Sequence, residues 1–162
     1  MSSPNNRKIR EQEYLSTNHP GPEPEYLDGE VLERSLPDSE HSKTQTELAW
    51  FFRTRRDTQN LFCRTELRMK IHSGRWVVAD VAVFHPDEPS GRYPVEPPLI
   101  VVEILTEDDR MGDMIDKLQE YRQWGVPYVW LADPKHQALY VMDEEFRQVH
   151  HWEAEEPSIR LT

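Results

Sequence analysis

Alternating and continuous runs of apolar residues predict a domain built mainly of β-strands. A first strand is expected over 26–36, with a break at the turn signal Asp28-Gly29. The turn signal Ser73-Gly74 predicts a hairpin between the strand before it, 61–71, and the strand after it, 75–84. The remaining strands expected from the pattern cover 61–71, 75–84, 99–105, 128–131, 139–142 and 146–150.

The spacing of apolar side chains predicts two principal helices. One is expected from Ser39, as its N-cap, to about Arg55, before the long strands. The second is expected over 109–124, where apolar residues keep a period of 3.6 until Gly125 and Pro127 end the helix. The order of elements therefore predicts an α/β domain with a mixed sheet, one helix before the long strands and one crossing over them.

The length and composition of the chain indicate a single domain flanked by polar terminal segments. The chain has 162 residues, enough for a single core, and we expect a flexible N-terminal arm at 1–24, a domain at 25–152 and a C-terminal tail at 153–162. The only cysteine, Cys63, excludes an intramolecular disulfide and favours a reducing compartment. With a polar start and no apolar run of membrane-spanning length, the protein is expected to be cytoplasmic, without a membrane partner.

Two strands are apolar on both faces except at one acidic residue each, Asp80 in the strand 76–84 and Glu103 in the strand 99–105. Burying a lone carboxylate is costly, so each site must supply a cation or hydrogen-bond donors, or keep the acid protonated. Either acid could pair with an arginine or cap a helix. Two acids placed alike on strands that could be neighbours are better explained by a shared hard cation such as Mg²⁺.

The helix over 109–124 carries Asp113, Lys117 and Tyr121 at spacings of four, so these residues line one strip beside its apolar face. Lys117 could then stabilise phosphate charge in a transition state. An ordinary Asp113–Lys117 pair on the helix surface is the alternative, and spacing alone favours it.

Charge limits the choice of partner. Thirty acidic against 19 basic residues give a formal net charge of −11, which opposes non-specific binding to nucleic acid. A local basic rim would still permit a nuclease.

Several motifs together resemble the Uma family of restriction-endonuclease-like proteins, over about residues 25–143. They are Tyr26-Leu-Asp-Gly-Glu30, Ala79-Asp80-Val81, Glu103-Ile-Leu105, the Asp113/Lys117/Tyr121 spacing and Trp124-Gly-Val-Pro-Tyr-Val-Trp-Leu-Ala-Asp-Pro134. The resemblance implies the PD-(D/E)XK nuclease fold, a mixed β-sheet flanked by helices. It also implies Mg²⁺ (or Mn²⁺) held by Asp80, Glu103 and the backbone carbonyl of Ile104, with Glu47 as a further acid. The resemblance further implies a nucleic-acid substrate, expected to be DNA, and a homodimer.

The sequence departs from the superfamily pattern beside the predicted site. Leu105 stands where the superfamily has its lysine, so Lys117 would have to supply that charge, with Lys70 a weaker substitute. The loop 106–109 adds three acids, which could bind a further cation or repel a phosphate backbone.

These features support a metal-dependent endonuclease as the leading hypothesis. A catalytically inactive binding module of the same fold and a metal-dependent hydrolase of a small phosphorylated substrate remain as alternatives. Convergence of Asp80, Glu103 and Lys117 in a structure would favour catalysis. An arginine that neutralises either acid would favour the binding module.

Overall fold

The computed structural model describes residues 7–151, which form one eight-stranded mixed sheet with helices on both faces. The helices are α1 (Glu11–Ser16), α2 (Ser39–Arg53), α3 (Arg56–Gln59) and α4 (Met111–Trp124). The strands are β1 (Glu25–Leu27), β2 (Glu30–Leu32), β3 (Phe62–His72), β4 (Arg75–Phe84), β5 (Ile100–Ile104), β6 (Tyr128–Asp133), β7 (Ala138–Met142) and β8 (Phe146–His151). The sheet order is β2-β1-β4-β5-β6-β7-β8, and β3 pairs with β4 outside this path.

Strand β4 is the centre of the sheet and is buried at every position. Its apolar run predicted a strand covered on both faces, and this is confirmed. One face, beneath α4, packs residues such as Val77 and Leu118. The other, beneath α2, packs residues such as Phe52 and Val81.

One edge of β4 is divided between two strands. β1 pairs with Arg75 and Trp76, whereas β5 pairs with residues 81–83. Between these pairings the backbone N–H of Val78 donates to a carboxylate oxygen of Glu25 (3.0 Å), and its carbonyl accepts from Lys117 (3.1 Å). Side chains thus satisfy buried backbone groups that a neighbouring strand would otherwise pair, and the sheet forks here.

The unit β5-α4-β6 brings α4 over one face of the sheet. β5 and β6 are parallel, and α4 is the crossover that such a pair requires. Gly125 ends α4 with φ of 109°, the left-handed conformation that glycine adopts without steric cost. The helix predicted from the 3.6-residue period is confirmed, and it begins at Met111.

The N-terminal segment corrects the predicted arm. Residues 11–16 form α1, and Tyr14 is fully buried, stacked against Tyr26 at 5.2 Å between ring centroids. Residues 11–24 therefore belong to the folded domain, and ion pairs of Glu11 with Lys70 and of Glu23 with Arg68 also hold the segment to β3. Residues 1–6 and the predicted tail 153–162 lie outside the described residues.

The start of α2 differs by one residue from the predicted start. The N-cap of α2 is Asp38, whose carboxylate accepts from the backbone N–H of His41 at 2.8 Å, and not Ser39. Within residues 7–151 no helix has the length and apolar character needed to cross a bilayer.

Candidate functional site

A pocket of about 1260 Å³ opens where the sheet forks. It brings together four residues predicted from the sequence, namely Asp80, Glu103, Ile104 and Lys117. Its walls come from β1, the segment 33–37, the first turns of α2, the loop after β5 and one face of α4.

Asp80 is held at the pocket floor by three elements and is 3% exposed. Its Oδ2 accepts from the backbone N–H of Ile104 (2.7 Å), and Oδ1 lies 2.8 Å from Nη2 of Arg34 and 3.3 Å from Nε2 of His41. Burial alone would raise the pKa of Asp80, but the hydrogen bond with His41 and the charge of Arg34 lower it to about 2. Asp80 is therefore an ionised carboxylate at neutral pH.

Glu103 is 1% exposed and lies in the same pocket. Its Oε1 accepts from the Tyr121 hydroxyl at 2.7 Å and lies 3.0 Å from Nζ of Lys117. Burial raises the pKa of Glu103 to about 8, with Lys117 opposing the change and Asp80 adding to it. A further positive charge beside Glu103 would therefore favour its ionised form at neutral pH.

Lys117 connects α4 to the fork. Its Nζ lies 2.6 Å from Oε1 of Glu25 and 3.0 Å from Oε1 of Glu103. Burial alone would lower the pKa of Lys117, yet the charges of Glu103 and Glu25 raise it, so the ammonium group is charged. Lys117 thus forms ion pairs with residues of two strands, β1 and β5. Asp113 is an exposed residue in the wall of the pocket.

Glu25 is a site residue that sequence reasoning missed. It is 5% exposed and lies between Lys117 and Arg75, whose Nη2 is 3.2 Å from Oε2 of Glu25. Although burial opposes ionisation, the charges of Lys117 and Arg75 lower the pKa of Glu25. Glu25 follows a polar, Pro-punctuated stretch, so no apolar pattern distinguishes it from its acidic neighbours.

The segment after β2 and the start of α2 supply the other residues that were missed. Arg34 reaches Asp80, and Gln45 donates to the backbone carbonyl of Asp80 at 3.0 Å. His41 and Gln45 are one turn apart on the α2 face that also carries Leu48. Polar residues at the start of a helix face that becomes apolar from Leu48 onwards were the available signal.

Two other predicted candidates lie elsewhere. Glu47 is exposed and is absent from the pocket lining, because two positions along a helix turn the side chain by about 200° from Gln45. Lys70 forms an ion pair with Glu11 at 2.9 Å, also outside that lining. The structure does not bring either residue to Asp80 and Glu103.

The acidic loop after β5 is largely fixed by its own contacts. Glu107 pairs with Lys135 at 3.0 Å. Asp109 accepts from the backbone N–H of Thr106 (2.8 Å) and from the hydroxyl of Ser35 (2.6 Å), which ties the loop to the segment that carries Arg34. Two of the three acids therefore already have partners within the protein, and Asp109 is the one that ties the loop to the pocket wall.

The donor chemistry of the pocket fits a hard divalent cation. Within residues 7–151 no three His, Cys, Asp or Glu side chains group as a metal site, but Mg²⁺ commonly uses one or two carboxylates with water and substrate phosphate. Asp80 and Glu103 supply two carboxylates. The buried hydroxyl of Thr106 lines the same pocket and has no hydrogen-bond partner among the described residues. Arg34, 2.8 Å from Oδ1 of Asp80, conflicts with a cation there, and Nε2 of His41 lies 3.3 Å from the same oxygen.

Comparison with known proteins finds the same kind of domain. The family described as "Uma2: Putative restriction endonuclease" matches residues 11–160. No curated protein matches the chain. A crystal structure of a "putative nuclease belonging to DUF820" from Anabaena variabilis ATCC 29413 has 23% identity and a TM-score of 0.75, over 86% of this chain and 83% of that chain. This likeness confirms the predicted nuclease-like fold.

A second solved structure, a cryo-EM DrdV–DNA complex, is more distant. It has 16% identity and a TM-score of 0.42, over 66% of this chain and 10% of that chain.

Proposed function

The chain belongs to the Uma2 family of putative restriction endonucleases, and from that membership and the pocket we propose that it is a metal-dependent endonuclease that hydrolyses phosphodiester bonds in DNA. The observation that carries the proposal is the convergence of Asp80, Glu103 and Lys117 in one pocket at the fork of the sheet. Two buried carboxylates can hold a divalent cation, and a lysine beside them can stabilise the charge that develops on a phosphate.

Asp80 and Glu103 are the side chains that would hold Mg²⁺ or Mn²⁺, with the backbone carbonyl of Ile104 as a further oxygen ligand. The bound ion would polarise a phosphoryl oxygen and lower the pKa of a coordinated water. The protein prepares this pair in two ways. The backbone N–H of Ile104 fixes one oxygen of Asp80, and the Tyr121 hydroxyl fixes one oxygen of Glu103.

Lys117 would supply the positive charge that stabilises the reacting phosphate. Its side chain is 14% exposed and is held by Glu25, Glu103 and the carbonyl of Val78. A charge fixed before the substrate arrives needs little reorganisation as negative charge develops in the transition state. Lys117 therefore takes the role for which Leu105, the residue after β5, has no suitable side chain.

One observation favours the second candidate function, a non-catalytic module that retains the nuclease fold. Arg34 forms an ion pair with Asp80 at 2.8 Å, and such a pair gives this buried acid a partner without any metal. Under this alternative the polar network at the fork would serve stability only. The two candidates differ in whether the wild-type protein hydrolyses nucleic acid.

We also propose a homodimer as the active form. Cleavage of both strands of a duplex requires two sites, and a symmetric dimer presents them in related orientations. Sedimentation equilibrium of the full chain measures its mass, and a mass of one chain at assay concentrations would reject the dimer.

A nuclease assay tests the proposed function. Supercoiled plasmid and a single-stranded RNA are incubated with wild type, Glu103→Gln or Glu47→Gln, each with Mg²⁺, Mn²⁺ or EDTA. We expect metal-dependent plasmid cleavage by wild type and Glu47→Gln, and its loss in Glu103→Gln. Glu47→Gln is the matched control, since it removes a carboxylate from an exposed site on α2. Absence of cleavage by folded wild-type protein would leave the non-catalytic module as the account.

A further inference from the structure

Arg34 occupies a position that conflicts with the proposed metal pocket. Its Nη2 lies 2.8 Å from Oδ1 of Asp80, and its Nη1 lies 2.7 Å from Oε2 of Glu66. The Arg34 side chain is 14% exposed and the Asp80 side chain is 4% exposed. The guanidinium group therefore already neutralises one of the two carboxylates available to a divalent cation.

The guanidinium group and a divalent cation are mutually exclusive partners of Asp80. Both are positive, and repulsion between them is strong where water is largely excluded. Arg34 and Glu103 line the same pocket. A cation shared by Asp80 and Glu103 thus requires Arg34 to leave Asp80.

Asp80 would stay in place after Arg34 left. The backbone N–H of Ile104 continues to bind Oδ2, and Nε2 of His41 lies 3.3 Å from Oδ1. Gln45 holds the backbone carbonyl of Asp80 from α2. Arg34 itself lies in the segment 33–38, which has no regular secondary structure, so its movement breaks neither a strand nor a helix.

The present partners of Arg34 leave its best binding mode unused. Its Nη2 donates to Asp80, whereas its Nη1 donates to Glu66 and, at 3.4 Å, to the backbone carbonyl of Glu23, so no single partner accepts two donors. A phosphate accepts two parallel donors from one guanidinium group, which is the stronger arrangement. Glu66 is 43% exposed, so this end of the guanidinium group lies near the pocket mouth, where a phosphate of the substrate would arrive.

We propose that Arg34 is a phosphate-binding residue that exchanges Asp80 for a phosphodiester of the nucleic acid, so that the substrate frees Asp80 for the divalent cation. The inference rests on the proposed function, because it requires a nucleic-acid substrate and a cation at Asp80. To the proposed function it adds Arg34 as a substrate-binding residue, and it places binding of the nucleic acid before binding of the cation at Asp80. By linkage, nucleic acid then promotes cation binding, and the cation promotes nucleic-acid binding.

Calorimetric titration with Mn²⁺ tests the competition. The proteins are wild type, Arg34→Met and Arg68→Met. Arg68 is the matched control because its side chain is 10% exposed and pairs with Glu23, so its loss changes the net charge equally. We expect Arg34→Met to bind Mn²⁺ about tenfold tighter than wild type, and Arg68→Met to match wild type.

Fluorescence anisotropy of a labelled DNA duplex in EDTA tests the phosphate contact. We expect Arg34→Met to bind the duplex roughly tenfold more weakly than wild type and Arg68→Met. Arg34→Lys keeps the charge but cannot form two parallel donors, so its duplex affinity should also fall while its Mn²⁺ affinity stays near that of wild type. A purely structural role for Arg34 would not tighten one ligand while weakening the other.

The two titrations separate failure of this inference from failure of the proposed function. Equal Mn²⁺ affinities of wild type and Arg34→Met, or equal duplex affinities of these two proteins, would overturn the exchange. If none of the proteins binds Mn²⁺, the metal-dependent function fails and the proposed release of Asp80 to a cation falls with it. In that case duplex affinity alone decides whether Arg34 binds phosphate.

Discussion

The ammonium group of Lys117 lies 3.0 Å from Oε1 of Glu103 and belongs to the helix that follows the strand of that glutamate. The same group lies 2.6 Å from Oε1 of Glu25 on β1. One helix side chain therefore joins two strands that pair with different parts of β4 and have no direct pairing in the sheet order. The charge beside the carboxylates is supplied across the sheet surface and not from within β5.

Loss of the Lys117 charge should destabilise the fold strongly. Lys117→Met leaves Glu103 and Glu25 buried without their shared cation, and breaking a buried pair costs roughly 3–5 kcal/mol. Urea denaturation measures the loss in free energy of unfolding. Lys135→Met is the control, because the side chains of Lys135 and Glu107 are 63% and 69% exposed, and an exposed pair contributes about 1 kcal/mol or less. Equal losses in the two variants would contradict a buried network.

The Tyr121 hydroxyl should matter for activity as a positioning group. Tyr121→Phe removes the 2.7 Å hydrogen bond to Oε1 of Glu103, and loss of such an outer contact typically reduces activity about 10–100-fold. Tyr26→Phe removes a comparable bond of 2.8 Å to the carbonyl of Ile9, and Tyr26 does not line the pocket. Plasmid cleavage should fall in Tyr121→Phe and persist in Tyr26→Phe. Equal activities would reject the positioning role.

The protein should lose stability as the pH falls through the acidic range, in part through Glu25. Burial opposes the change, but Lys117 and Arg75 lower the pKa of Glu25 below its ordinary value of 4.5. The ionised carboxylate therefore stabilises the fold above about pH 4.5, and this contribution disappears as the pH falls through the folded-state pKa. Urea midpoints between pH 3 and 6 should vary less steeply in Glu25→Gln than in wild type. Curves of equal slope would show that Glu25 makes no such contribution.

Cys63 should react slowly in the folded protein. Burial raises the pKa of its thiol from the ordinary value of 9.0 to about 11, with Arg64 opposing the change. Because the thiolate is the reactive form, a rise of about two units lowers its fraction at pH 8 roughly 100-fold. Alkylation by iodoacetamide should therefore be at least that much slower in native protein than in urea-unfolded protein. Similar rates would show a thiol that is free to ionise.

The elements of the fold were largely predictable because burial leaves a pattern in the sequence. The run from Val77 to Val83 is apolar except at Asp80, and such a run predicts a central strand wherever it lies along the chain. Tyr14 shows the limit of this reasoning. A single aromatic side chain leaves no periodicity, so its burial against Tyr26 and Trp76 depends on chain geometry that no local window contains.

The two carboxylates of the site could be singled out because each interrupts an apolar run. Asp80 and Glu103 are conspicuous for that reason. Arg34 and Glu25 lie in polar stretches, and the contact between Arg34 and Asp80 joins residues 46 positions apart. Glu47, the further acid that the resemblance implied, is exposed and outside the pocket lining, whereas Gln45, two residues earlier on the same helix, lines the pocket. The ion pairs at the fork depend on the order of the strands in the sheet. A local pattern of apolar and polar residues does not encode that order.

The most direct test of the central claim is the cleavage rate of Asp80→Asn, Glu103→Gln and the double variant under single-turnover conditions with Mg²⁺. Residues that act as one unit are strongly non-additive. We predict that each single change slows cleavage by on the order of 10²–10³-fold and that the double variant is hardly slower than either. Cleavage by the double variant at the wild-type rate would contradict a nuclease site at Asp80 and Glu103.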